Sequence, residues 1–542
     1  MKKILLIFNF AFLIFNSAFP QAGEWVWIKG DSVPNQPGNF GVQGVSSPTN
    51  KPPSLYEPCE WTDLNGNFWL FGGSPPGSSR SDLWKYDPLT NEWTWMKGNN
   101  IPNDPGNYGT LGIPSPANNP PARGYGATSW VDSSGNFWML GGANGTGGNF
   151  SDLWRYTIST NEWTWMKGPN ITNQLPVYGI QGVPDPANTP GSFCESSTAW
   201  IDYTTGNLWF YAGGYTNNAD LWQFNISTSE WTWIKGGQIA NQPPIYGIKS
   251  AEDSVNTPGK RQSYAHWKDS NGKFWMFAGF HMKLHNDVWR YNPVTNNWAW
   301  INGDSTTTNV AGNYGQKCVV SSSNVPGLRY ENRACWSDQK GDFFVFGGGD
   351  TFGGHLNDLW KYCIAANQWV WVSGDTTSGG AGNWGTIGVS SPLNKPNERM
   401  GSVGWTDNNN HLYLFGGASN PWFSAWNDLW KYSIDTTCGV CPAPNSTEEN
   451  NPPKTDELLV FPNPTNSSLT ISFSSSEKQT VELRIYNTLG EVQLFQSFVP
   501  INIGMEKGFS KEINVEKLGD GIYFLQLKTK EGIVSKKVVV QH

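Results

Sequence analysis

The residues of this chain best suited to chemistry are few and scattered. Six histidines occur in 542 residues, at 266, 281, 285, 355, 411 and 542. His281, His285 and His355 fall in loops of two neighbouring repeat units, and the chemistry they offer is imidazole ligation of a metal. No helical i, i+4 register holds them, so solvent-exposed loop histidine is the plainer expectation, and no metal or other cofactor is assigned. Arg123, Arg261, Arg329, Arg333 and Arg399 recur near the starts of the first strands of the repeat. A guanidinium there either binds a carboxylate ligand or bridges adjacent units, and bridging is the simpler role. Asp63, Asp132, Asp202, Asp269, Asp338 and Asp407 resemble calcium ligands in isolation, but their Asp…Gly-Asn context fits hairpin turns better. Seven cysteines leave at least one unpaired. Cys438-x-x-Cys441 lacks both the βαβ setting of a redox pair and the second pair that zinc needs, so a local disulfide is expected. No catalytic residue is assigned.

Stepping from these residues to the elements that carry them, the tryptophans give the plan. There are 31. A Trp-x-Trp pair occurs at Trp25/Trp27, Trp93/Trp95, Trp163/Trp165, Trp231/Trp233, Trp298/Trp300 and Trp369/Trp371, at steps of 67 to 71 residues. An Asp-Leu/Val-Trp word ends at Trp84, Trp154, Trp222, Trp289, Trp360 and Trp430. An apolar run before one or two glycines precedes each, and a further Trp (61, 130, 200, 267, 336, 405) precedes that run. Such self-similarity means a stack or ring of equivalent units. Each unit reads as four antiparallel strands with polar hairpin turns, which is a propeller blade. The first Trp-x-Trp strand, 24–30, stands before any complete blade, and the last blade ends without one. Pairing the two closes a ring of six and removes two open edges.

The word order, an apolar run, a Gly pair, Asp-Leu-Trp-x-Tyr and Thr-Asn-x-Trp, resembles the kelch repeat of the galactose-oxidase superfamily. That resemblance implies an all-β, six-bladed kelch-type β-propeller over 23–434. It does not extend to chemistry, because the copper site of galactose oxidase has no residue-by-residue match here. Kelch units run to about 50 residues, so each unit here carries an insert.

The inserts lie between the fourth strand of one blade and the first of the next. They share a Pro/Gly/Asn pattern and one aromatic each: Phe40, Tyr108, Tyr178, Tyr246, Tyr314 and Trp384. Six such loops suggest a collar around the channel mouth that stacks on sugar rings. The alternative, which the regularity favours, is that each aromatic plugs its own loop onto the blade. Three tryptophans fall outside the repeat: Trp384, Trp422 and Trp426. The last two share a loop with Phe423. These residues, with Tyr108, Tyr178, Tyr246 and Tyr314, are the candidate ligand contacts.

The chain ends carry the address. Lys2, Lys3 and the apolar run 4–15 form a signal-peptide pattern over 1–22, too short to span a bilayer. No later apolar segment is long enough to cross, so no transmembrane segment is expected in the mature chain. Residues 435–455 read as a Pro/Asn/Thr-rich linker. From 456 to 542 there is no Trp, and alternating stretches predict a small Ig-like β-sandwich. Pro462-Asn463-Pro464, Gly490, Gly521, Tyr523 and the pair Lys536-Lys537 resemble the C-terminal sorting domain of type IX secretion cargo in Bacteroidetes. The resemblance implies the type IX machinery as a partner and a secreted or cell-surface product. A net charge of −8 gives no basic excess, which argues against nucleic acid. The function expected is non-enzymatic binding of a glycan or an extracellular protein. The alternative is a carbohydrate-active or oxidase-like enzyme with its site at the channel mouth.

Overall fold

The computed structural model describes residues 21–195, 198–211, 219–239, 241–262, 264–305, 311–351, 354–420, 424–442, 459–461, 464–474, 481–487, 491–498, 508–528 and 533–542. They fall into two compact units divided between Pro442 and Ala443. The first holds six four-stranded antiparallel sheets, as the repeat predicts. The first blade runs Cys59–Thr62, Phe68–Phe71, Leu83–Asp87 and Glu92–Lys97, hydrogen-bonded in that order. The sixth runs Val403–Thr406, His411–Phe415 and Leu429–Ser433, and its fourth strand is Trp25–Lys29 from the other end of the chain. Trp25 lies opposite Tyr432 and Trp27 opposite Trp430. The first strands of blades 6 and 1 lie side by side, as do those of blades 1 and 2, so the sheets form a closed ring.

The tryptophans fill the wedges between blades. Each first-strand indole reaches towards the second strand of the next blade. Trp61 stacks on Phe137 (5.1 Å, 9° between planes), Trp405 on Phe68, Trp200 on Phe274 and Trp267 on Phe343. The indole N–H groups of Trp61, Trp130, Trp200 and Trp336 donate to backbone carbonyls of the next blade. Flat rings suit this place because they bury large area between twisted sheets while the indole N–H finds a partner.

Each hairpin-turn aspartate is used by its own turn. Asp63 Oδ1 accepts the backbone N–H of Asn65 and Asn67, and its Oδ2 accepts the indole of Trp69. Asp132 and Asp269 repeat the arrangement with Trp138 and Trp275.

The end of the propeller differs from expectation. Cys438 and Cys441 do not bond to each other. Cys438 is joined to Cys318 and Cys441 to Cys363. Residues 435–442 therefore belong to the first unit rather than to a free linker. Two residues lie between the cysteines, and each side chain finds a partner on blade 5 or on the insert that leads into it.

In the second unit, strands Leu459–Phe461, Ser468–Ser474 and Gly508–Asn514 form one sheet. Val492–Phe498, Val481–Tyr486, Gly521–Lys528 and Ile533–Val540 form the other. Leu469, Ile471 and Ile513 from the first sheet share one core with Leu483, Ile485, Leu525 and Val538 from the second, which makes a sandwich. Among the described residues, no helix is long and apolar enough to cross a membrane.

Deleting residues 24–30 should lower the melting temperature by at least about 10 °C or abolish folding, because one blade loses its outer strand and the buried Trp25. A thermal scan showing an unchanged midpoint would contradict this closure.

Candidate functional site

Of the expected ligand contacts, Tyr108, Tyr178, Tyr246, Tyr314 and Trp384 each donate to a buried aspartate that stands before a third strand. Asp152 Oδ1 and Oδ2 accept the fork of Arg123 at 2.7 and 2.9 Å, and Oδ2 also accepts the indole of Trp154 and the phenol of Tyr108. Asp287 takes Arg261, Trp289 and Tyr246, and Asp358 takes Arg329, Trp360 and Tyr314. Asp428 takes Arg399, Trp430 and, where a tyrosine would stand, the indole of Trp384. Tyr178 donates to Asp220. Burial alone would raise the Asp287 carboxyl, but the charge and hydrogen bonds of Arg261, with His285 and the Trp289 indole, together outweigh it and hold the pKa at about 2.

The insert aromatics are thus plugs. The ring of Tyr108 lies against Trp154 and Trp165, that of Tyr246 against Trp289 and Trp300, and that of Tyr314 against Trp360 and Trp371. Trp384 stacks on Trp426 at 5.1 Å. Trp426 is buried, donates to Ser419 and lies under the guanidinium of Arg399. Trp422 and Phe423 lie outside the described residues. The inserts then run to the perimeter, not to a collar at the mouth. Asn50, Asn118, Asn188, Asn256, Asn324 and Asn394 each donate to a carbonyl of an outer strand, at Trp93, Trp163, Trp231, Trp298, Trp369 and Trp25. They cover the free edge of every blade.

The arginines bridge. While the Arg123 side chain grips blade 2, its backbone carbonyl accepts the N–H of Gly73 in blade 1. A Cβ on the adjacent Gly72 would stand 2.4 Å from that carbonyl, so the backbone approach requires glycine there. The three candidate histidines do not converge. His281 lies 3.4 Å from Asn241. His285 is buried and held neutral by that burial, its pKa pushed down to about 3. His355 is buried with Nδ1 unpartnered. Among the described residues, the one set of three donor atoms at metal-binding spacing is Asp342, Cys363 and Cys441, and there the two sulfurs are bonded to each other.

What the sequence reading missed is the axis. Glu57 of blade 1, Glu195 of blade 3 and Glu331 of blade 5 occupy the entry to their first strands, each in the left-handed region (φ 48°, 53° and 52°). They act on one another across the channel. The Tyr56 phenol of blade 1 donates to Glu331 of blade 5, and Gln262 of blade 4 donates to Glu195. Arg333 of blade 5 reaches Glu60 of blade 1 at 3.2 Å. Burial, then repulsion from Glu57 and Glu195, holds the Glu331 carboxyl well above the usual range. Burial pushes Glu57 up to about 8, against the pull of Arg333. Tyr125 and Gly401 adopt the same left-handed conformation at the equivalent position of blades 2 and 6, so the conformation belongs to the entry loop of the repeat. Both Glu57 carboxyl oxygens, and Nε and Nη1 of Arg333, are buried without a hydrogen-bond partner among the described residues. The signal was present in the sequence, because the position two residues after Leu55, Arg123, Phe193, Arg261, Arg329 and Arg399 varies in chemistry: Glu57, Tyr125, Glu195, Ser263, Glu331 and Gly401.

Two cavities bracket this layer. On the hairpin-turn face a cavity of about 990 Å³ is lined by Glu60, His266 and Arg333, with Tyr203 and other turn residues at its rim. On the opposite side Tyr56, Tyr125, Met400 and Ala418 pack together, leaving a hollow of only about 40 Å³.

Residues 459–541 match the family described as "Secretion system C-terminal sorting domain". Of the expected sorting residues, Pro464, Gly521, Tyr523 and Lys536 fall within the described parts of this unit. For Lys537 the backbone alone is described, and Pro462, Asn463 and Gly490 lie outside. The chain is accordingly a product of type IX secretion, sent to the cell surface or the extracellular space. No curated protein matches the chain. Among solved structures, one described as "Structure of YjhT" is similar, with 13% identity, a TM-score of 0.40, and coverage of 72% of this chain and 96% of that one.

Two outcomes follow. Asp152→Ala strands a buried guanidinium and should cost about 3–5 kcal/mol in denaturant unfolding. Because the folded-state pKa of Glu57 is raised, its contribution is full below about pH 4.5 and is lost as pH rises to about 8. Wild-type stability should therefore fall across that window more steeply than that of Glu57→Gln, and equal slopes would refute the assignment.

Proposed function

We propose that this chain is an exported propeller that binds a glycan or an extracellular protein at or beyond the cell surface without transforming it. The signal-peptide pattern over 1–22 provides passage across the inner membrane, and the sorting domain provides passage across the outer one. The observation that supports binding is the axial layer. A stable ring has no structural need for a buried, unpartnered carboxyl beside a buried guanidinium with two unpartnered N–H groups. Desolvated polar groups without partners inside a protein cost free energy unless a ligand or water completes them. The inserts do not supply the contact surface by aromatic stacking, since their rings are packed against blade tryptophans.

One observation favours the second reading, an enzyme acting on carbohydrate. A carboxyl raised to about 8 keeps its proton at neutral pH, as a general acid must.

A glycan array probed with the exported protein, paired with product analysis of every retained glycan, separates the readings. Retention with recovery of intact glycan is expected; a cleaved or oxidised product would replace binding with catalysis, and retention of no glycan would leave the protein-ligand form alone. Removing 456–542 should leave the propeller inside the cell, and normal export without that segment would overturn the route.

A further inference from the structure

We infer that the axial site takes one neutral sugar ring, and that the ring enters from the hairpin-turn face rather than the insert face. The inference rests on the binding reading above and names its site and ligand class.

The argument is one of complementary vacancies. Arg333 uses Nη2 on Glu60 and leaves Nε and Nη1 without partners, although only 5% of the residue is exposed. Glu57, 1% exposed, leaves both oxygens without partners. The two are close enough to interact electrostatically, yet they form no ion pair. A group placed between them must accept from the guanidinium and offer a hydrogen bond to the carboxyl. An ammonium only donates, so Arg333 would stay unmet. A carboxylate or phosphate only accepts, and it would add a negative charge to a layer where four carboxyls, each already held above its usual range, share a single arginine. A hydroxyl does both and carries no charge. Several hydroxyls on a rigid ring meet both forks at once, and that is the chemistry of a neutral sugar.

The entrance follows from the two cavities. Glu60 and Arg333 open onto the hollow of about 990 Å³, which is large enough for a sugar ring by comparison with ligand pockets of about 300–1,000 Å³. Among the described residues of the insert side, Tyr56, Met400 and Ala418 pack together, and the hollow beside them is only about 40 Å³. At the rim of the open side, Tyr203 is 71% exposed, and the Lys268 ammonium lies 4.3 Å from its ring centroid. An exposed aromatic ring at the rim of a cavity lined by buried polar groups is a surface for the apolar face of a sugar.

The test is calorimetric titration of the exported protein with glucose, galactose, mannose and N-acetylglucosamine, and with glucosamine and glucuronate as charged counterparts. At least one neutral sugar should bind, at least tenfold tighter than either charged one. Glu57→Gln and Tyr203→Ala should each weaken it at least fivefold. Tyr203 is a surface turn residue, so its variant folds even if the channel variant does not. Binding of no neutral sugar, preference for a charged one, or full affinity in Tyr203→Ala would overturn the inference. Retention on the glycan array with unchanged affinity in both variants would leave the binding reading standing and remove only this site. Loss of both array retention and monosaccharide binding would remove site and glycan reading together.

Discussion

Everything in a blade converges on one carboxylate. The aspartate before the third strand is fully desolvated, and in four blades it is made tolerable there by a two-pronged guanidinium, an indole N–H and a phenol or second indole. A buried ion pair earns little net stability against an apolar replacement, but losing one partner is severe. Its value is geometric. The arginine sits in the loop that enters the blade, the tryptophan on the third strand and the tyrosine in the insert, so a single group positions three separate pieces of chain. Where the arginine is absent, Leu55 and Phe193 stand in its place, and in blade 1 Arg80 approaches Asp82 from the other side. The backbone around the pair then does the joining. The carbonyls of Arg123, Arg329, Arg399 and Leu55 each accept an amide from the glycine pair of the preceding blade, and Leu55 thereby ties blade 1 to blade 6.

This division of labour decides where function can reside. Inserts that cap outer strands leave no edge open to unwanted pairing, and they hold their aromatics beneath themselves. The periphery is therefore the conservative part of the design. The axis is where six first strands approach without needing identical side chains. There the blades alternate. Blades 1, 3 and 5 supply glutamates, and the intervening blades carry Tyr125, Ser263 and Gly401 at the same position.

Much of the architecture was legible in the sequence because it is repeated. Strand order, ring closure by Trp25–Lys29 and the turn aspartates all follow from words that recur at fixed spacing. The plug role of Tyr108 and its counterparts was legible too, since a residue present in almost every unit serves what every unit needs. Other features were not legible. The pairing of Cys438 with Cys318 and of Cys441 with Cys363 depends on where a tail folds back, which no local spacing encodes. The three histidines fell on adjacent loops, but adjacency in the repeat does not aim side chains at a common point. The axial glutamates escaped because each looks like an ordinary charged residue at the start of a strand. Only the ring brings residues 57, 195 and 331 together.

The two disulfides have a mechanical meaning. The sorting domain lies at the C-terminal end, so any pull on it during or after export acts on the chain just beyond Pro442. Without cross-links that tension would run directly into Leu429–Ser433, the strand that holds the closing strand by backbone hydrogen bonds, and would unzip the ring at its seam. The sulfur links at 438 and 441 divert the load into covalent bonds anchored at Cys318 and Cys363, upstream of the seam.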